Sequence, residues 1–86
     1  MKKPLVTLYF RYNCHLCEDM LQHLRVLQQS QGFLLETIDV DLNNRLQERS
    51  GTLVPVLTAG DEELCHYYLD EVRLRDYLSS QSTKVL

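Results

Sequence analysis

The segment Asn13-Cys14-His15-Leu16-Cys17 constrains this chain more than any other. Two cysteines separated by two residues stand behind an apolar, strand-like run and at the start of an amphipathic helical pattern, so the fold must place a strand-to-helix turn there. At that spacing the two sulfurs can close a small disulfide ring and reopen it, and a helix N-terminus favours a thiolate on the first of them. The pattern is suited to thiol–disulfide exchange.

A length of 86 residues allows one domain, spanning 1–86, whose small core leaves no room for a second module. With 44% hydrophobic and 24% charged residues the composition is that of a globular domain able to fold alone, without low-complexity tracts. The net charge of −3, with arginines scattered along the chain, provides no basic stripe for a phosphate backbone, so nucleic acid is not an expected partner. Lys2 and Lys3 imitate the start of a signal peptide, but Pro4 follows at once and Arg11 ends the short apolar run from Leu5 to Phe10. No export or membrane segment is expected, and the chain is placed in the cytoplasm. Three cysteines in such a chain do not make a disulfide scaffold; in a reducing compartment the closely spaced pair points to catalysis or metal binding.

Leu5-Val6-Thr7-Leu8-Tyr9-Phe10 reads as a strand covered on both faces. Leu16, Met20, Leu24 and Leu27, with Leu21 beside them, recur at three- and four-residue intervals, while Gln22, His23, Arg25, Gln28 and Gln29 take the other side. This predicts a helix from about Cys14 to Ser30, with Asn13 as N-cap and Gly32 as its stop. Phe33 to Val40 reads as a second strand. Asp41 is then expected to cap a short helix running to Glu48 or Arg49 and closed by Gly51. Leu53 to Thr58 reads as a strand that begins around Pro55, the stretch Ala59-Gly60-Asp61-Glu62 as a turn, and Glu63 to Tyr67 as the returning strand of a hairpin. Asp70 starts a last helix in which Leu69, Val72, Leu74, Tyr77 and Leu78 are available for packing, and residues 79–86 are expected to fray. The order is β-α-β-α-β-β-α, an α/β chain with a four-stranded mixed sheet flanked by three helices.

These elements, with the CxxC pair at a helix start and Val-Pro opening a hairpin, together resemble the thioredoxin fold, and more narrowly the small glutaredoxin-like proteins. The resemblance covers Leu5 to about Leu78. Leu8-Tyr9-Phe10-Arg11-Tyr12-Asn13-Cys14-His15-Leu16-Cys17 is similar to the glutaredoxin active-site segment, including a basic residue three positions before the first cysteine. Leu53-Val54-Pro55-Val56 is similar to the segment that holds the family's cis-proline. The resemblance implies a dithiol oxidoreductase acting on protein or low-molecular-weight disulfides, with Cys14 as nucleophile and Cys17 as resolving thiol. It also implies a cis Val54-Pro55 bond and a backbone at Val54 that receives substrate as a short strand. Tyr12, Tyr68 and Asp70 are expected beside the substrate groove. No bound organic cofactor and no metal are expected, glutathione is a candidate co-substrate, and the chain is expected to be a monomer.

The helix-terminus effect is worth roughly 0.3–1 kcal/mol, rising to about 2 kcal/mol when partly buried, and one pKa unit corresponds to about 1.36 kcal/mol. Alone it rarely brings a thiol from about 8.5 to below 7. Arg11 and His15 are therefore expected to supply further stabilisation of the Cys14 thiolate, with Glu18 opposing them.

Alternatives remain open at this point. The pair could be incidental or hold a metal, for which Cys65, His66, His15 and His23 are the other ligand types present, although Cys65 and His66 on one strand would face opposite ways. The domain could instead be a non-catalytic interaction module. Cys65 reads most simply as a small core residue. The chain also departs from typical glutaredoxins, which place Pro-Tyr between the cysteines and two glycines after the hairpin. Here His15-Leu16 and Cys65-His66-Tyr67-Tyr68 stand at those places, and larger side chains hinder the close backbone approach that glutathione makes. A preference for peptide-like disulfides over glutathione is expected.

Overall fold

The first apolar run becomes an inner strand of the sheet. In the computed structural model, which describes residues 3–42 and 54–82, Leu5–Phe10 forms β1, His15–Ser30 helix α1, Leu34–Asp39 β2, Val56–Ala59 β3, Glu62–His66 β4 and Glu71–Ser82 helix α2. The strand order is β2-β1-β3-β4. β1 runs parallel to β2 and antiparallel to β3, and β3 is antiparallel to β4, so the sheet is mixed as the sequence predicts. Parallel strands need a crossover between them, and α1 supplies it.

Val6 and Leu8 of β1 are wholly buried and meet Met20, Leu24 and Leu27 of α1, Leu57 and Ala59 of β3, Leu64 of β4, and Leu74 and Leu78 of α2 in one cluster. Helices α1 and α2 thus share a core with the sheet. Each fully buried leucine contributes about 1.5–3 kcal/mol relative to exposure. Thr7 and Tyr9, on the alternate positions of β1, are half-buried.

Several boundaries differ from the sequence expectation. Asn13 is not the N-cap: its φ is +58°, and Cys14, in extended conformation, caps α1 instead. A cap needs extended backbone, and Asn is the non-glycine residue that best tolerates the left-handed region, so the two positions exchange roles. Helix α1 ends with Gln31 as C-cap, one residue before Gly32. The second strand is shorter than Phe33 to Val40; Phe33 enters the core before it, and Val40–Leu42 close it as a 3-10 turn. The helix expected from Asp41 to Glu48 or Arg49 lies, past residue 42, outside the described residues. Gly60, with φ +61°, and Asp61 join β3 to β4, and a bulge at Leu57/Thr58 shifts the register so that Leu64 also reaches the core. Val72 does not pack and is 68% exposed. Of the tail expected to fray over 79–86, Ser79 to Ser82 continue α2 and residues 83–86 lie outside the described residues.

Candidate active site

The cysteine pair lies where β1 hands over to α1. Cys14 and Cys17 form a disulfide with their Cα atoms 5.2 Å apart. Cys14 is half-exposed, whereas Cys17 is buried with 3% of its surface accessible. The Cys17 backbone N–H donates to Cys14 Sγ at 3.2 Å, and the Glu18 N–H donates to the Cys14 carbonyl at 3.1 Å. The first sulfur therefore acts as the N-cap of α1, taking one of the N–H groups that a helix start leaves unpaired. A donor aimed at sulfur stabilises its anion when the disulfide is opened.

Neighbouring charges are arranged less simply than spacing alone implies. Arg11 Nε donates to both carboxylate oxygens of Asp41, at 3.1 and 3.2 Å. His15 Nε2 lies 3.4 Å from Asp19 Oδ2, with the imidazole 85% exposed. Tyr12 stacks edge-on against Phe10, ring centroids 5.3 Å apart, and lines a small apolar hollow together with Leu8, Cys17, Glu18 and Leu21.

A second hollow opens on another flank of α1. Leu16, Asp19, Met20 and His23 form one wall, and Tyr67, Tyr68 and Leu69 the other. Tyr68 thus lies in this hollow and Tyr12 in the first. The Val54-Pro55 bond is cis, Pro55 is fully buried, and its carbonyl accepts the Tyr67 N–H at 2.8 Å, which ties the proline segment to the aromatic wall. Tyr67 has φ +66°, a conformation that glycine adopts freely and a tyrosine rarely. Asp70 Oδ1 accepts the Arg73 N–H at 3.0 Å, so its carboxylate caps α2. Glu71 at the start of α2 meets His23 Nε2, a member of this wall, at 2.8 Å.

Tyr67 belongs to the turn expected beside the groove, whereas Leu16, Asp19, Met20 and His23 were not expected from sequence to line it. Asp19 and His23 sit four residues apart, as do Leu16 and Met20, and that periodicity was the available signal. Cys65 is half-buried against the core. Burial pushes its thiol above the ordinary value of 9.0; the backbone hydrogen bond with Asp70 opposes this, and the Asp70 and Glu63 carboxylates add to it. Among the described residues no group of three or more His, Cys, Asp and Glu side chains is arranged to hold a metal ion, and no helix is long and apolar enough to cross a membrane.

Comparison with known proteins agrees with this architecture. Residues 5–79 match the family model described as Glutaredoxin-like domain (DUF836). An uncharacterized protein of Mycobacterium tuberculosis is 34% identical over 80 residues, which cover 87% of this chain and 82% of that protein. The solution structure of Ne2328 from Nitrosomonas europaea superposes with a TM-score of 0.81 at 44% identity, covering 91% of this chain and 94% of that one. The XcR50 protein of X. campestris gives 0.65 at 31% identity, covering 87% and 96%. Oxidized mitochondrial thioredoxin 3 of Saccharomyces cerevisiae, at 18% identity, has a TM-score of 0.66 over 93% of this chain and 80% of its own, which shows the thioredoxin fold.

Proposed function

This chain belongs to the glutaredoxin-like domain family, and on that premise we propose that it is a thiol–disulfide oxidoreductase working through Cys14 and Cys17. The observation that carries the reading is the asymmetry of the pair: a half-exposed sulfur capping a helix, bonded to a buried sulfur one turn behind it.

In the reduced form the Cys14 thiolate attacks one sulfur of a substrate disulfide. The substrate S–S bond breaks, a mixed disulfide forms, and the departing thiolate takes a proton from solvent. Cys17 then gives up its proton and attacks Cys14 Sγ. The second substrate thiol leaves, and two electrons have passed from the protein to the substrate. A low-molecular-weight thiol or dithiol, of which glutathione is a candidate, reduces the protein again. Arg11 acts on the thiolate by charge, and His15 does so only when protonated, each to the extent that its carboxylate partner, Asp41 or Asp19, leaves its field uncompensated. Val54 presents its backbone to the substrate, while Pro55, buried and with its carbonyl bonded to the Tyr67 N–H, anchors that segment, and the reducing cytoplasm is the compartment in which such a pair turns over.

Serine substitution tests the assignment. Cys14→Ser abolishes disulfide reduction, whereas Cys17→Ser accumulates a mixed disulfide visible by mass spectrometry. Equal trapping by both variants would sink the division of roles.

A further inference from the structure

The hollow between α1 and the turn before α2 has a chemical character of its own. Its apolar members are Met20, which is buried, Leu16 and Leu69, which are half-buried, and Tyr68, which is 71% exposed. Its polar members are Asp19 and His23, with Glu71 held against His23. The carboxylate of Glu71 is also held by Arg75, at 3.0 Å, a permanent cation. Asp19 differs. Among the described residues its ion-pair partner is the His15 imidazole, which carries no permanent charge. Glu18 stands beside it in the first turn of α1.

An anion entering this hollow meets the Asp19 carboxylate. Glutathione disulfide carries such anions at both ends. A peptide with a lysine or arginine near its cysteine meets a carboxylate without a fixed counter-charge, and an apolar neighbour of that cysteine meets Leu16, Met20 and Tyr68.

We propose that this hollow is the docking groove for an extended peptide disulfide bearing an apolar and a basic residue near the reacting cysteine, with Asp19 selecting the basic one. The inference rests on the exchange reading and names the substrate class of that same site. Charge complementarity decides the occupant, and screening by salt follows from its exposed position.

Two arms test it. In the first, three short peptide disulfides that differ only in Lys, Gln or Glu beside the cysteine are reduced by the protein, with 2-hydroxyethyl disulfide as an uncharged comparison. The lysine peptide is expected to exceed the glutamate peptide in kcat/KM by roughly two- to fivefold at low salt, the range an exposed charge pair supplies, and the ratio should approach one at high salt. Asp19→Asn should narrow the ratio, and Asp19→Glu should preserve it. In the second arm, the same peptides with S-methylated cysteines are titrated into the oxidised protein and followed by amide NMR. Shifts are expected at Leu16, Asp19, Met20 and Tyr67 to Leu69, larger for the lysine peptide. Equal or reversed preference, or shifts clustered elsewhere, overturns the groove. Lysine-selective binding without turnover of any disulfide, the uncharged one included, overturns the exchange reading while supporting the groove.

Discussion

Arg11 and Asp41, thirty residues apart in the chain, are joined side by side: the guanidinium Nε reaches both oxygens of the carboxylate. The cation that precedes the redox pair therefore arrives at the site with its counter-charge attached. Replacing either partner should move the Cys14 pKa, but in opposite directions. Arg11→Ala raises it by removing a cation that favours the thiolate, and Asp41→Asn lowers it by removing the carboxylate that offsets that cation. The pH dependence of alkylation on the Cys17→Ser background measures both. An Arg11→Ala shift well above one unit would mean that Asp41 does not compensate the charge.

The left-handed conformation at Asn13 makes a stability prediction. Asn13→Gly keeps a residue that adopts φ +58° readily, whereas Asn13→Val forces a β-branched side chain into it. The valine variant should lose about 1–2 kcal/mol, which lowers Tm by roughly 4–8 °C for each kcal/mol in a domain of this size. Thermal melts of the two variants side by side decide the point; equal melting temperatures would refute it.

Leu24 has no exposed surface, whereas Val26, two residues on, is 62% exposed. Leu24→Ala should cost about 2–5 kcal/mol through lost burial and the cavity left behind. Val26→Ala should stay within about 0.5 kcal/mol. Urea denaturation at equal slope distinguishes them, and a tolerated Leu24→Ala would contradict the packing of α1 on the sheet.

Cys65 provides the pH prediction. Because burial raises its folded-state pKa above the ordinary 9.0, the thiol is neutral in both folded and unfolded chains below that value, and the full stability is present there. As pH rises through the raised folded value the unfolded chain ionises first, so stability is lost. Denaturation midpoints should fall above pH 9.0 more steeply for the native protein than for Cys65→Val. In the folded state Cys65 should also alkylate more slowly than reduced Cys14.

Local chemistry in the sequence revealed much of this structure. The leucine and methionine spacing from Leu16 to Leu27 defines the buried face of α1, the cysteine spacing defines its start, and Val54-Pro55 marks the entrance to the hairpin. Interactions that depend on distant chain segments were hidden. The Arg11–Asp41 pair and the His23–Glu71 pair span 30 and 48 positions, and no periodicity links them. Backbone conformation was hidden too: Asn13 reads as a helix cap because its side chain is a good one, but the turn requires the one φ that asparagine tolerates better than cysteine. Val72 fits the helical stripe yet faces solvent, because Leu74 and Leu78 already fill the contact with the sheet.

The unequal exposure of the two sulfurs bears on survival under oxidative stress as well as on exchange. Peroxide meets Cys14 first, since Cys17 lies beneath the helix start with 3% of its surface accessible. A sulfenic acid formed on Cys14 stands within bonding reach of a thiol held one turn behind it, and condensation to the disulfide competes with further oxidation to the irreversible sulfinic and sulfonic acids. On the proposed exchange reading, the buried cysteine is a built-in safeguard, returning an oxidised centre to a state that thiols can repair.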